Sequence, residues 1–171
     1  MKKSFVIFVL FSSVIGVYAQ KPPLTADSLV FSQAPLFTLP DYAGTTHNLS
    51  EYLGHGYTLV EFWASWCNAC LMEMPTLKEA YRRYINQGFQ IVSVSLDTNS
   101  AVWLDTVVRL GITWTQLSDV RGWESPVAAR YHVTSIPSTF LVDSSGCIIA
   151  HNLNGEKLLT KLATLYHQQP R

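Results

Sequence analysis

Tyr57-Thr58-Leu59-Val60-Glu61-Phe62-Trp63-Ala64 runs directly into Ser65-Trp66-Cys67-Asn68-Ala69-Cys70, and the fold turns on that junction. The first eight residues are an apolar run with one carboxylate, bounded upstream by Gly54-His55-Gly56, as in a buried strand. From about Cys67 the period changes. Cys70, Met74, Leu77, Tyr81 and Tyr84 recur at spacings of four and three, which makes one apolar stripe of a helix. Lys78, Glu79, Arg82 and Arg83 fall on the other face. Pro75 predicts a kink and Gly88 an end. Two cysteines with two residues between them therefore sit where a strand gives way to a helix.

Outward from this junction the chain alternates strands and helices. Upstream, residues 36–39 and 46–49 flank Asp41-Tyr42-Ala43-Gly44, a hairpin with a glycine-containing turn. Downstream, residues 89–96 read as a second buried strand, 100–110 as a helix stopped by Gly111, and 112–117 as a short apolar strand. Ser125-Pro126 reads as a helix start, with Ser125 as N-cap and Pro126 in the first turn. Residues 138–142 and 147–150 form a second hairpin around Asp143-Ser144-Ser145-Gly146. Leu158, Leu159, Leu162, Leu165 and Tyr166 mark a closing helix. This order predicts an α/β domain, a mixed sheet flanked by helices.

The N-terminus reads as a secretory signal. Lys2 and Lys3 precede an apolar core over residues 5–17, and Val17-Tyr18-Ala19 places cleavage after Ala19. The alternative is an uncleaved membrane anchor, for which the apolar stretch is short, since a span needs roughly 20 residues. Residues 20–33, with Pro22-Pro23 and no periodicity, read as a linker, and residues 34–171 as one domain. The 12 basic and 12 acidic side chains balance, without the basic patch that nucleic-acid binding requires. Export to a periplasm-like compartment permits disulfides and oxidises a free Cys-x-x-Cys unless a donor keeps it reduced.

Thiol–disulfide exchange needs one thiolate to attack and a second to resolve the mixed disulfide. Cys67, at the helix start, faces unpaired backbone N–H groups that favour an anion, and only the thiolate is nucleophilic. Cys70 belongs to the buried stripe and would resolve. A zinc site lacks a second ligand pair at suitable spacing. A purely structural disulfide would close too short a loop to add much stability. Glu61 interrupts an otherwise apolar strand. If buried, its pKa rises, which suits a proton acceptor for Cys70; if the strand lies at an edge, its head reaches solvent. Cys147 reads as a small buried hydrophobe, although an odd cysteine in an exported protein can also pair between molecules.

Phe62-Trp63-Ala64-Ser65-Trp66-Cys67-Asn68-Ala69-Cys70, followed by Glu73-Met74-Pro75, resembles the active-site segment of the thioredoxin superfamily. Val133-Thr134-Ser135-Ile136-Pro137-Ser138-Thr139-Phe140-Leu141-Val142-Asp143 resembles its cis-proline segment. The signal segment, the leading hairpin and the long stretch before Tyr131 resemble the exported TlpA/ResA-like branch. The resemblance implies a thioredoxin-like fold with an added N-terminal β-hairpin and a central insertion. It also implies a cis Pro137 lying against the cysteine pair and presenting the Ile136 backbone to a substrate segment. Thioredoxins carry an acid at the position of Glu61, whereas exported relatives often have an amide there. Such relatives often carry a glutamate at the position of Glu73.

The candidate catalytic residues are thus Cys67, Cys70, Glu61 and Pro137. Trp66 and Ile136 are candidates for substrate contact, and Asn68, Ala69 and Glu73 for tuning. Asn68-Ala69 departs from the family in lacking a proline before the second cysteine. The expected activity is disulfide reduction in envelope proteins by a monomeric, cofactor-free enzyme, with an upstream membrane or periplasmic thiol as electron donor. A peroxiredoxin-like peroxidase is disfavoured, because Ala64-Ser65-Trp66 does not match the Pro-x-x-x-Thr-x-x-Cys arrangement. A copper-binding or non-catalytic module is disfavoured by a cysteine spacing of two rather than three.

Overall fold

A computed structural model of the chain describes residue 25 and residues 30–167. The signal segment, its cleavage point after Ala19 and most of residues 20–33 lie outside the described residues. Strands β1 (Thr38–Pro40) and β2 (Thr46–Asn48) form the leading hairpin, followed by a short 3-10 turn. Then come β3 (Thr58–Trp63), α1 (Asn68–Tyr84), β4 (Gln90–Ser95), α2 (Ser100–Arg109), β5 (Thr115–Leu117), α3 (Pro126–Arg130), β6 (Ser138–Val142), β7 (Ile148–His151) and α4 (Glu156–His167). The main sheet has the order β5-β4-β3-β6-β7. β3 lies at its centre, parallel to β4 and antiparallel to β6, and every residue of β3 is buried. This is a thioredoxin-like arrangement, a mixed five-stranded sheet flanked by helices with a separate two-stranded hairpin.

Alternation along β3 sends Phe62 and Glu61 to opposite faces. On the Phe62 face an aromatic cluster ties the sheet to α3 and the hairpin. Tyr131 lies 5.3 Å from Phe62, 4.9 Å from Phe140 and 6.0 Å from Phe37 between ring centroids. Burial of each of the three phenylalanines stabilises the fold by about 2–3 kcal/mol. On the Glu61 face α1 and α4 pack together, and Tyr84 stacks on Tyr166 at 4.7 Å.

α1 runs unbroken through Pro75, whose missing N–H leaves the Leu71 carbonyl without its helical donor. After α1 a 3-10 turn ends at Gly88, with φ +89°, and a Cβ there would collide with the His55 carbonyl. Ser125 occupies the N-cap position of α3 with Pro126 in its first turn, as expected, and its hydroxyl donates to Asp119 Oδ2 at 2.8 Å rather than to the helix. Docking begins before residue 34. Phe31 N–H donates to Ile148 O and Ala34 N–H to Gly146 O, at 2.7 and 2.8 Å, so the end of the expected linker lines the edge of β7. Two- to three-residue pairings of this kind carry no periodicity that a sequence displays.

Candidate active site

The register brings the cysteine pair and Pro137 to one end of the sheet. β3 leaves the sheet after Trp63 and reaches Cys67 four residues later. β6 enters opposite, with Ser138 paired to Phe62, so Ile136-Pro137 lies at the same end. The Ile136–Pro137 peptide is cis, the isomer the resemblance implies. Ser95 pairs with Trp63, which brings the C-terminal end of β4 there as well.

Cys67 is the N-cap of α1, and its Sγ accepts the Cys70 N–H at 3.1 Å. The two cysteines are joined as a disulfide, with Cα atoms 5.2 Å apart. They are unequal in access. Cys70 is fully buried on the core side of α1, whereas Cys67 retains 7% of its surface. Beside it Trp66 is 54% exposed, and its ring lies 6.4 Å from that of Trp123, itself 50% exposed on the 3-10 turn before α3. Asn68 and Ala69 are exposed between the cysteines, and Ile136 is half-buried.

Glu61 lies on the central strand and is 1% exposed, so the edge-strand alternative is excluded. Its Oε2 accepts from Ser93 Oγ at 2.5 Å, and Oε1 has no hydrogen-bond partner among the described residues. Burial pushes its pKa up to about 7; the Ser93 hydrogen bond opposes the rise, and the negative charge of Glu73 adds to it. Glu73 is half-buried rather than solvated. Its Oε2 accepts the Gly155 N–H at 2.7 Å, which pins the start of α4 to α1.

The loop that carries the cysteines is held by Asp97, a residue the sequence reading passed over. Asp97 is almost fully buried just beyond β4. Its carboxylate accepts from Ser65 N–H at 3.0 Å, Ser65 Oγ at 2.6 Å and Ser95 Oγ at 2.7 Å. The available signal was an acid placed directly after the strand read over residues 89–96, at the C-terminal end of a parallel strand, where α/β folds gather their sites. Asp97→Ala removes the acceptor of all three bonds and leaves the Ser65 N–H without its partner. We expect a destabilisation of about 2 kcal/mol, read as a lower urea midpoint at unchanged m-value, together with slower disulfide exchange. Trp123 was also missed, because only the tertiary fold carries it to Trp66. Cys147 is free and half-buried just before β7, where Gln33 bridges to it, rather than being a core residue.

The family described as AhpC/TSA matches residues 30–151, which include the cysteine pair, Asp97, Trp123 and Pro137. The chain belongs to the AhpC/TSA family. Within it the chain is 34% identical over 143 residues to the thiol-disulfide oxidoreductase ResA of Geobacillus thermodenitrificans, covering 82% of this chain and 80% of that one. It is 37% identical over 117 residues to ResA of Geobacillus kaustophilus, covering 68% of this chain and 65% of that one. Among solved structures it is similar to a thiol-disulfide oxidoreductase from Bacteroides fragilis, with a TM-score of 0.74 and 32% identity over 78% of this chain and 99% of that one. It is also similar to the thioredoxin domain of a thiol-disulfide oxidoreductase from Bacteroides vulgatus, with a TM-score of 0.74 and 30% identity over 79% and 96% of the two chains. The likeness to family members of that name and the Cys67–Cys70 disulfide identify the chain as a protein-disulfide oxidoreductase of thioredoxin-like fold.

Proposed function

We propose that the protein is an exported reductase of protein disulfides, acting in the periplasm or an equivalent compartment through a Cys67 mixed disulfide. The observation that carries this is the unequal access of two bonded sulfurs at one helix start. In the reduced enzyme the Cys67 thiolate attacks a substrate disulfide. A Cys67–substrate S–S bond forms and the second substrate sulfur leaves as a thiolate. Cys70 gives its proton to Glu61 and attacks the Cys67 sulfur. The substrate's remaining sulfur leaves as a thiolate and the Cys67–Cys70 disulfide closes. Two electrons have then passed to the substrate, and an upstream membrane or periplasmic dithiol restores the enzyme.

On this reading Trp66 and the Ile136 backbone beside Pro137 contact the substrate segment, while Asn68, Ala69 and Glu73 set the redox poise. Glu73 supports this through position, since its charge acts on Glu61 while its Oε2 holds Gly155. Export is supported by the charged and apolar start of the chain. Among the described residues no helix is long and apolar enough to cross a membrane. The test is the equilibrium potential of the Cys67–Cys70 couple against a glutathione series. We expect a value well below about −200 mV; one near about −120 mV belongs to an oxidant and reverses the direction proposed here.

A further inference from the structure

Glu61 does not stand alone in the core. Its neighbour across the parallel pairing of β3 and β4 is Ser93, fully buried, whose Oγ lies 2.5 Å from Glu61 Oε2. The same Ser93 Oγ lies 2.8 Å from Nε1 of Trp114, a buried indole just ahead of β5 that packs 5.5 Å from the Tyr81 ring on α1. The donor inventory orients this chain. An indole N–H can only donate, so Trp114 occupies a lone pair of Ser93 Oγ. A serine hydroxyl has a single proton, and its other close neighbour here is the carboxylate, so that proton goes to Oε2. With Oε2 engaged as an acceptor, the oxygen left without a partner among the described residues is Oε1. The charged group that acts on this carboxylate is Glu73, from α1. Its neighbours across β4 and β6, Ser93 and Thr139, carry no charge.

We propose that Trp114 and Ser93 are positioning residues for the exchange reaction: together they hold Oε2 of Glu61 and reserve Oε1 as the atom that takes up and releases the proton. This rests on the reading of Glu61 as proton acceptor for Cys70. The indole locks the hydroxyl rotor, and among the described residues the hydroxyl is the hydrogen-bond donor to this buried carboxylate. Without it the ionised form loses that partner, and the acid holds its proton to higher pH.

The test uses the full-length protein with Ser93→Ala, Trp114→Phe and Ser93→Thr, read in two ways. One is the titration of the Glu61 carboxyl by difference infrared spectroscopy, referenced to Glu61→Gln. The other is the pH profile of disulfide exchange. Ser93→Ala is expected to move the carboxyl titration upward by about one to two pH units, the value of a hydrogen bond to a charged group, and to move the exchange profile with it. Trp114→Phe should move both in the same direction by less, and Ser93→Thr, which keeps the hydroxyl, should restore both. Should Ser93→Ala fold poorly because the Trp114 N–H is left unpaired, the double variant Ser93→Ala/Trp114→Phe removes both partners and carries the same expectation. A carboxyl titration in Ser93→Ala that superimposes on the wild type overturns the positioning role and leaves Glu61 itself untouched. A carboxyl titration that moves while the exchange profile stays fixed overturns the reading of Glu61 as proton acceptor, and the assignment of Ser93 and Trp114 to the reaction with it.

Discussion

Cys67→Ser is expected to lower the catalysed reduction of a protein disulfide by on the order of 10³-fold or more, to the rate of the recycling dithiol alone, while Cys70→Ser traps substrate as a covalent adduct. The physical basis is the asymmetry of one helix start. Cys67 is the residue of the pair that keeps some exposed surface, and the Cys70 backbone N–H at 3.1 Å is already directed at its Sγ. A charge developing on that sulfur meets a donor that needs no reorganisation. A serine at this position holds its proton at neutral pH and cannot exchange with sulfur. Cys70 is closed to solvent on every side, so it cannot begin the reaction, yet it is bonded to Cys67 across 5.2 Å between Cα atoms and is placed to finish it. The check is insulin reduction with dithiothreitol recycling for both variants, with non-reducing gels of Cys70→Ser incubated with oxidised substrate. Equal rates for wild type and Cys67→Ser, or an adduct that survives in Cys67→Ser but not in Cys70→Ser, would assign the roles the other way.

Glu61→Gln is expected to act in opposite directions on stability and on rate. Burial raises the pKa of Glu61 from the usual 4.5 to about 7. A folded-state value above the unfolded one means that the native protein binds the extra proton between those limits. The associated stability is fully present below about pH 4.5 and is lost as pH climbs through about 7, a difference of about 3 kcal/mol. Glutamine carries no such titration. The variant should therefore gain stability relative to wild type as pH rises from 5 to 8, less a cost for an amide N–H₂ that replaces Oε1 with nothing to donate to. On the proposed role of Glu61 as proton acceptor for Cys70, the resolving step in the same variant should slow by on the order of 10²-fold at neutral pH. Urea unfolding of the oxidised protein at pH 5 and pH 8 measures the first effect. Stopped-flow closure of a preformed Cys67 mixed disulfide measures the second. A wild-type stability curve that stays flat from pH 5 to 8 is the result that rules out a buried, titrating Glu61.

Much of this site is written locally. The Cys-x-x-Cys pair, the apolar strand before it and the helical stripe after it lie within about thirty residues, and their spacings follow from the periods of strand and helix. Cys67 falls at the N-cap and Cys70 three residues on, on the same side of the helix, so the two sulfurs come within bonding reach while Cys70, one turn further in, joins the buried stripe. The two hairpins and the closing helix were readable for the same reason. What was not readable depends on pairings across long stretches of chain. Asp97 meets Ser65 only because β3 and β4 are parallel and end together. Ser93 meets Glu61 only through the register of that same pair, and Trp114 reaches Ser93 from just before the next strand. Glu73 is a tuning candidate from sequence, but that its carboxylate also holds Gly155 appears only when α4 starts beside it. Ser125 takes the N-cap position that its near neighbours indicate, but that Asp119, six residues back, holds its hydroxyl depends on how the loop between them folds.

The sequence by itself therefore determined the cysteine pair, its place at a strand-to-helix junction and the alternating elements that frame it, since these follow from residue type and local periodicity. Only the tertiary structure decided what surrounds that pair and Glu61. It placed Glu61 on the central strand rather than an edge, left one of its carboxylate oxygens without a partner among the described residues, and set Trp123 beside Trp66. The reason is physical. The desolvation that moves a carboxylate and the donor that restrains it come from whatever the sheet register stacks around it, and register is a property of strands far apart in the chain.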